Sequence, residues 1–169
     1  MGIDAVRISG LRRLAVVAAL AAGLVLALAA MPGCGSDCPT PEQKAYLNEA
    51  EEWADRTEAG YGDLLTIMGE VPSRPEALID EEWRRRLRRV LDEVDAANRE
   101  MAALEPPVGA EEVHRLVVGV SEAIIEANEL LWQGVLAVDA ETMKRSIERR
   151  DKALPLMEEG IRVMERFCE

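Results

Sequence analysis

Apolar residues in this chain return at alternating steps of three and four through four successive runs, and that spacing constrains the fold more than any other feature. The first run is Tyr46, Ala50, Trp53, Thr57, Gly60, Leu64, Ile67 and Val71, and the second is Ile79, Trp83, Leu87, Val90, Val94, Ala97, Met101 and Leu104. The third is Val113, Val117, Val120, Ile124, Ala127, Leu131, Gly134 and Val138. The fourth is Met143, Ile147, Arg150, Leu154, Met157, Ile161, Met164 and Cys168. At 3.6 residues per turn such positions share one side of a helix, whereas a half-buried strand would need strict alternation. Only Thr57 and Arg150 break the apolar rule. The residues between are rich in Ala, Leu, Glu and Arg, which favour helix.

The punctuation sets the bounds. Thr40-Pro41-Glu42-Gln43 has the form of a capping box with proline at the first helical position. Ser73 with Glu76 repeats the device, Pro106-Pro107 and Gly109 separate the second run from the third, and Asp139 can cap the fourth. The spacing thus predicts helices over about 41–71, 74–105, 110–137 and 139–168. Short connections make neighbouring helices antiparallel, so the expected fold is all-α, an up-down-up-down four-helix bundle. Pro155 lacks a backbone donor and should kink the fourth helix near Asp151.

Ahead of the bundle, Leu14 to Ala30 is uncharged and follows Arg7, Arg12 and Arg13, the layout of an export signal. Its 17 positions sit at the short edge of a bilayer span, for which ~20 are usual. Met31-Pro32-Gly33-Cys34 resembles the lipobox of bacterial lipoproteins, with Met31 and Pro32 where that family usually has Leu and then Ala or Ser. The resemblance implies that residues 1–33 are a signal peptide, that Cys34 receives diacylglycerol and a palmitate-type acyl chain, and that 34–40 form a short tether. Gly35 after the cysteine implies the outer membrane in a cell that has one. Cleavage after Ala27-Leu28-Ala29 and an uncleaved anchor helix are the competing readings. With Cys34 lipidated, Cys38 and Cys168 are left to pair, and an even number of antiparallel helices would bring both to the membrane-proximal end. That disulfide would contribute about 4–5 kcal/mol on the chain-entropy model, in a compartment oxidising enough to keep it.

The segment before Cys34 holds three Arg and one Asp, so the mature chain would carry 17 basic and 31 acidic groups, a balance of −14 against −12 for the whole. Such a surface repels nucleic acid and favours basic partners. The run Trp83 to Arg89 is the one strongly basic stretch, but Asp80, Glu81, Glu82, Asp92 and Glu93 stand one helical turn from its arginines, which describes a self-neutralising solvated face. Glu111 and His114 have the Glu-x-x-His spacing of di-iron bundles, which need a second copy, and the chain has one histidine. Met101, Met143, Met157 and Met164 fall on the apolar runs as packing residues, and no haem-attachment motif is present, so no cofactor or metal is expected.

A candidate site lies where the local rules fail. Tyr61 is flanked by Gly60 and Gly62, and counting residues from the membrane-distal end puts Tyr61, Trp83, Trp132 and Arg150 at similar depth. They could line a pocket for a small amphipathic or anionic ligand. The competing reading is an aromatic core layer whose arginine reaches a surface carboxylate. No catalytic triad, phosphate loop or nucleotide-binding loop is present, so the chain is not expected to be an enzyme. The sequence reads as a lipid-anchored envelope protein that acts as a binding or scaffolding module for an envelope partner, with a ligand-carrying or sensing domain as the rival.

Overall fold

The computed structural model describes residues 40–165. They form α1 (Pro41–Glu70), a 3-10 turn (Pro75–Ile79), α2 (Glu81–Ala102), α3 (Glu111–Ala137), α4 (Ala140–Asp151) and α5 (Ala153–Glu165), with no strand among the described residues. The protein is all-α. Residues 1–33, Cys34, Cys38 and Cys168 lie outside the described residues, as does the apolar run 14–30. No helix among the described residues is long and apolar enough to cross a membrane.

α1 starts on the capping box: Thr40 Oγ1 accepts from Gln43 N–H at 3.3 Å, and Gln43 Oε1 accepts from Thr40 N–H at 2.8 Å. The expected start of the second helix at residue 74 is corrected. Ser73 Oγ donates to Glu70 O at 3.0 Å, joining the N–H groups of Ser73 and Arg74 on that carbonyl, so it closes the end of α1 instead of capping a new helix. The chain then makes the short 3-10 turn, and Asp80 caps α2 by accepting from Trp83 N–H at 2.7 Å. α2 also ends at Ala102, short of residue 105; Pro106 disfavours helical backbone at Glu105, and the chain has already left the helix after Ala103. The fourth run carries the disturbance expected near Asp151: α4 and α5 are separated by the single turn residue Lys152. Pro155 cannot donate to the carbonyl of Asp151, and the helix stops there, resuming after Lys152.

Cross-helix contacts order the elements. Between α1 and α2, Trp53 Nε1 donates to Asn98 Oδ1 at 3.2 Å, Arg56 pairs with Glu100, Arg86 pairs with Glu70 at 2.7 Å, and Trp83 Nε1 donates to Ile67 O at 3.2 Å. Between α2 and α3, Asn128 Nδ2 donates to Asp95 Oδ1 at 2.7 Å. α4 meets α3 through Arg149 with Glu126, and α5 packs on α3 with Leu156 against Gly119. The core between these helices is apolar, centred on Trp53, Leu64, Trp83, Leu87, Leu91, Met101, Ile124 and Val135. Ile79, placed in the second run by its spacing, is exposed because the 3-10 turn carries it out of the helix.

Two glycines permit close approach. A methyl at Gly60 would come within 2.3 Å of Val94 Cγ2, so the α1–α2 contact is built on its missing side chain, whereas one at Gly62 would meet nothing within 4 Å. A methyl at Gly134 would lie 2.8 Å from the backbone nitrogen of Met143, which cannot swing aside. Gly134→Ala is therefore expected to destabilise the protein by about 1–3 kcal/mol, measured by urea unfolding; a loss under about 0.5 kcal/mol, the scale of an ordinary surface change, would show that α3 and α4 are not so close.

α3 ends in a left-handed residue that is not glycine. Val138 has φ 52° and ψ 41°, its N–H bonds Val135 O at 3.3 Å, and Asp139 N–H bonds Gly134 O at 2.8 Å. This is the Schellman arrangement, which usually places glycine at that position. A left-handed conformation costs an L-residue about 1–2 kcal/mol.

Candidate functional site

Of the four aromatic and cationic residues expected at one depth, the structure brings two together. Arg150 on α4 and Tyr61 on α1 are both buried, with the guanidinium carbon 4.9 Å from the ring centroid. Arg150 Nη2 donates to Asn128 Oδ1 at 3.1 Å, and Asn128 in turn donates to Asp95. Asp95 also faces Arg99 at 3.5 Å. The result is a buried polar chain from α1 through α4 and α3 to α2.

Trp83 lies elsewhere, close to the 3-10 turn, with its indole bonded to Ile67 O. Trp132 is half-buried under Arg88, whose guanidinium carbon is 5.5 Å from the ring centroid. The bonding partners of both tryptophans therefore lie off the polar chain. Counting residues put the four at one level because it assumed that every helix starts flush at its end; the 3-10 turn shifts Trp83 away from Tyr61. Asp95 and Asn128 were not singled out from the sequence. Each follows a residue of an apolar run, Val94 or Ala127, and the helices bury a stripe wide enough to include it. A polar residue next to an apolar run on two adjacent helices is the signal that would have found them.

Tyr61 Oη, Thr57 Oγ1, Ser121 Oγ, Ser146 Oγ and Arg150 Nε are buried without a hydrogen-bond partner among the described residues. Each such atom costs about 1–3 kcal/mol. Burial pushes the Tyr61 hydroxyl pKa up, with Arg150 acting against it, and burial likewise raises the Asp95 carboxyl, opposed by Asn128 and Arg99. A carboxyl raised in the folded state contributes stability that is fully present below the ordinary carboxylate range and is lost as pH rises through the folded value. Asp95→Asn, whose amide oxygen can still accept from Asn128, is therefore expected to be more stable than the native chain at pH 7, with the two converging below about pH 4. Denaturant unfolding at both pH values checks this, and a variant less stable at pH 7 would overturn it.

A second feature is on the surface. The start of α1 and the link between α2 and α3 enclose an open cleft of about 860 Å³ lined by Tyr46, Leu104, Pro106, Pro107 and Val108, with Glu42, Glu49 and Glu105 around it. Gln43 Nε2 donates to Val108 O at 3.1 Å and holds its wall. Tyr46 Oη lies 3.0 Å from His114 Nδ1, the rings meeting edge-on at 5.9 Å and 66°. Burial pushes Tyr46 up to about 12 and lowers His114, so at neutral pH an uncharged phenol and an uncharged imidazole share this hydrogen bond, its direction set by the imidazole tautomer. His114 Nδ1 is thus engaged by Tyr46, and Glu111 turns back to accept from Gly109 N–H at 2.8 Å. No group of three metal-binding side chains occurs among the described residues.

The arginines of the basic run are mostly engaged. Arg86 pairs with Glu70, and Arg88 pairs with Asp92 at 2.6 Å. Arg84 departs from the expected pairing with Asp80: its Nε donates to Leu78 O at 2.6 Å and its Nη2 to Val135 O at 3.2 Å, joining the 3-10 turn to the end of α3. No protein-family model matches the chain, and neither a curated protein nor a solved structure matches it.

Proposed function

We propose that the chain is a membrane-tethered, extracytoplasmic binding or scaffolding module with an up-down-up-down four-helix architecture, anchored through lipid on Cys34 and closed by a Cys38–Cys168 disulfide. Supporting the architecture, the late part of α1 meets the early part of α2, Ile67 with Trp83, and the earlier part of α1 meets the late part of α2, Trp53 with Asn98. The observation that carries the function is the cleft beside Tyr46. Its apolar floor and carboxylate surround suit a basic, apolar segment of an envelope protein. Its volume is within the range of ordinary ligand sites.

The rival reading, a ligand pocket at Tyr61, Trp83, Trp132 and Arg150, draws less support. Tyr61 and Arg150 occupy each other, and the two tryptophans sit apart from them. No catalytic role is assigned.

A photo-crosslinking amino acid at Val108, which is 88% exposed, tests the binding site in the intact envelope. A defined envelope protein captured from Val108 but not from Glu148 on α4 is the expected result. No adduct at Val108, or the same adducts at both positions, would overturn it. Cys34→Ser should release the protein from the membrane fraction if the tether is lipid.

A further inference from the structure

The place of the Tyr46 cleft along the chain limits what can reach it. Its wall includes Thr40, the N-cap of α1, and Cys34 stands only six residues earlier. Fully extended, that stretch spans at most about 20 Å. Lipid on Cys34 would therefore keep the Thr40 edge of the cleft within about 20 Å of the bilayer surface, whatever path the tether takes. The other end of α1, a helix of 30 residues, lies about 45 Å from that edge.

Charge limits the occupant in a second way. Glu42, Glu49 and Glu105 line the cleft and have no cationic partner among the described residues. Along 40–49 and 103–112, the stretches that form and flank the cleft, the one cation is Lys44, and it does not line the cleft. Arg115, the next cation along α3, is taken up by Glu112 at 3.8 Å. Such a rim repels anionic lipid headgroups and favours Lys or Arg. Between the carboxylates, Leu104, Pro106, Pro107 and the exposed Val108 offer apolar contact.

We infer that the cleft takes a juxtamembrane segment of an integral membrane protein in the same bilayer, an apolar stretch carrying Lys or Arg where it leaves the hydrocarbon. The inference rests on the lipid-anchored cleft proposed above and adds a range to it. A short tether makes the local concentration of segments within its reach high and that of segments beyond it close to zero. The tether and the cleft thus select the partner together, one by height above the membrane and the other by charge.

The test uses the full lipidated chain in zwitterionic nanodiscs, with the photo-crosslinking residue at Val108. One probe is a Leu-rich transmembrane peptide whose outer flank carries Leu and Lys, compared with a twin whose flank carries Leu and Glu. The Lys flank alone, as a soluble peptide, is the second probe. The Lys-flanked transmembrane peptide should crosslink at least tenfold more than its twin, and less as salt rises. A rigid Glu/Ala/Lys helical spacer of about 30 residues between Ser36 and Asp37, about 45 Å long where helical, should abolish that adduct and leave the soluble peptide's adduct unchanged. Glu105→Lys should weaken both adducts at least fivefold with little change in melting. Equal capture of the transmembrane peptide with and without the spacer would overturn the inference and leave the cleft reading standing. No adduct with either Lys probe would sink the cleft reading, and this inference with it. Adducts to lipid alone, or a chain that fails to enter the discs, would likewise overturn it.

Discussion

Trp83→Ala is expected to cost about 3–5 kcal/mol, the range for deleting a large buried aromatic side chain. Trp83 is 1% exposed, among the largest of the fully buried side chains, and it seals the α1–α2 contact just inside the 3-10 turn. Its loss would leave a cavity and strip the carbonyl of Ile67 of the indole donor. In a domain of this size the melting temperature should fall by about 10 °C or more. Trp83→Phe separates the two contributions: it keeps most of the apolar bulk and loses the hydrogen bond, so a smaller loss of about 1–2 kcal/mol is expected. Calorimetry on both variants is the check, and an alanine variant within about 1 kcal/mol of the native chain would mean that Trp83 does not sit in the core.

Arg150→Met should cost about 3 kcal/mol, since removing one member of a buried charged network leaves the others uncompensated. The guanidinium is only 4% exposed and is held by the Tyr61 ring on one side and by Asn128 on the other. Without it, Asn128 Oδ1 loses its donor, and the amide that Asn128 extends to Asp95 is no longer held from its other side, leaving Asp95 to Arg99 and the field of Arg88. Asp95→Asn in the same chain should restore part of the loss, because the buried negative charge goes with the positive one. A double-mutant cycle measured by urea unfolding should give a coupling between the two positions of about 0.5–3 kcal/mol, although they touch only through Asn128. Strictly additive effects would show that no communication passes through that amide.

The helical character was legible because the apolar spacing runs unbroken for many turns, and α1 was legible to its first residue because Thr40, Pro41 and Gln43 together admit one start. The start of the second helix was not, because two capping residues compete. Ser73 and Asp80 both fit the rule, and the choice between them is tertiary: the indole of Trp83 bonding Ile67 O and Arg84 gripping Leu78 O fix where α2 can begin. Pro155 announces the disturbance in the fourth run, and the break falls at Lys152, next to the Asp151 carbonyl that the proline cannot bond. In the interior, Arg150 is conspicuous as a charge among apolar residues, while Asp95 and Asn128 resemble ordinary solvent-facing positions. The cleft is invisible at that level, since its walls depend on how the link through Pro106 and Val108 folds against Gln43.

The chain of Tyr61, Arg150, Asn128 and Asp95 has a consequence for how the protein can change over time. Oily contacts tolerate sliding, but directional bonds between unlike partners match in a single alignment, so moving any one rod by a turn would strand at least two of these groups. The interior therefore works as an indexing key that sets the rods in place regardless of what covers them. Outer positions are free to be rewritten for new partners without the rods losing their places.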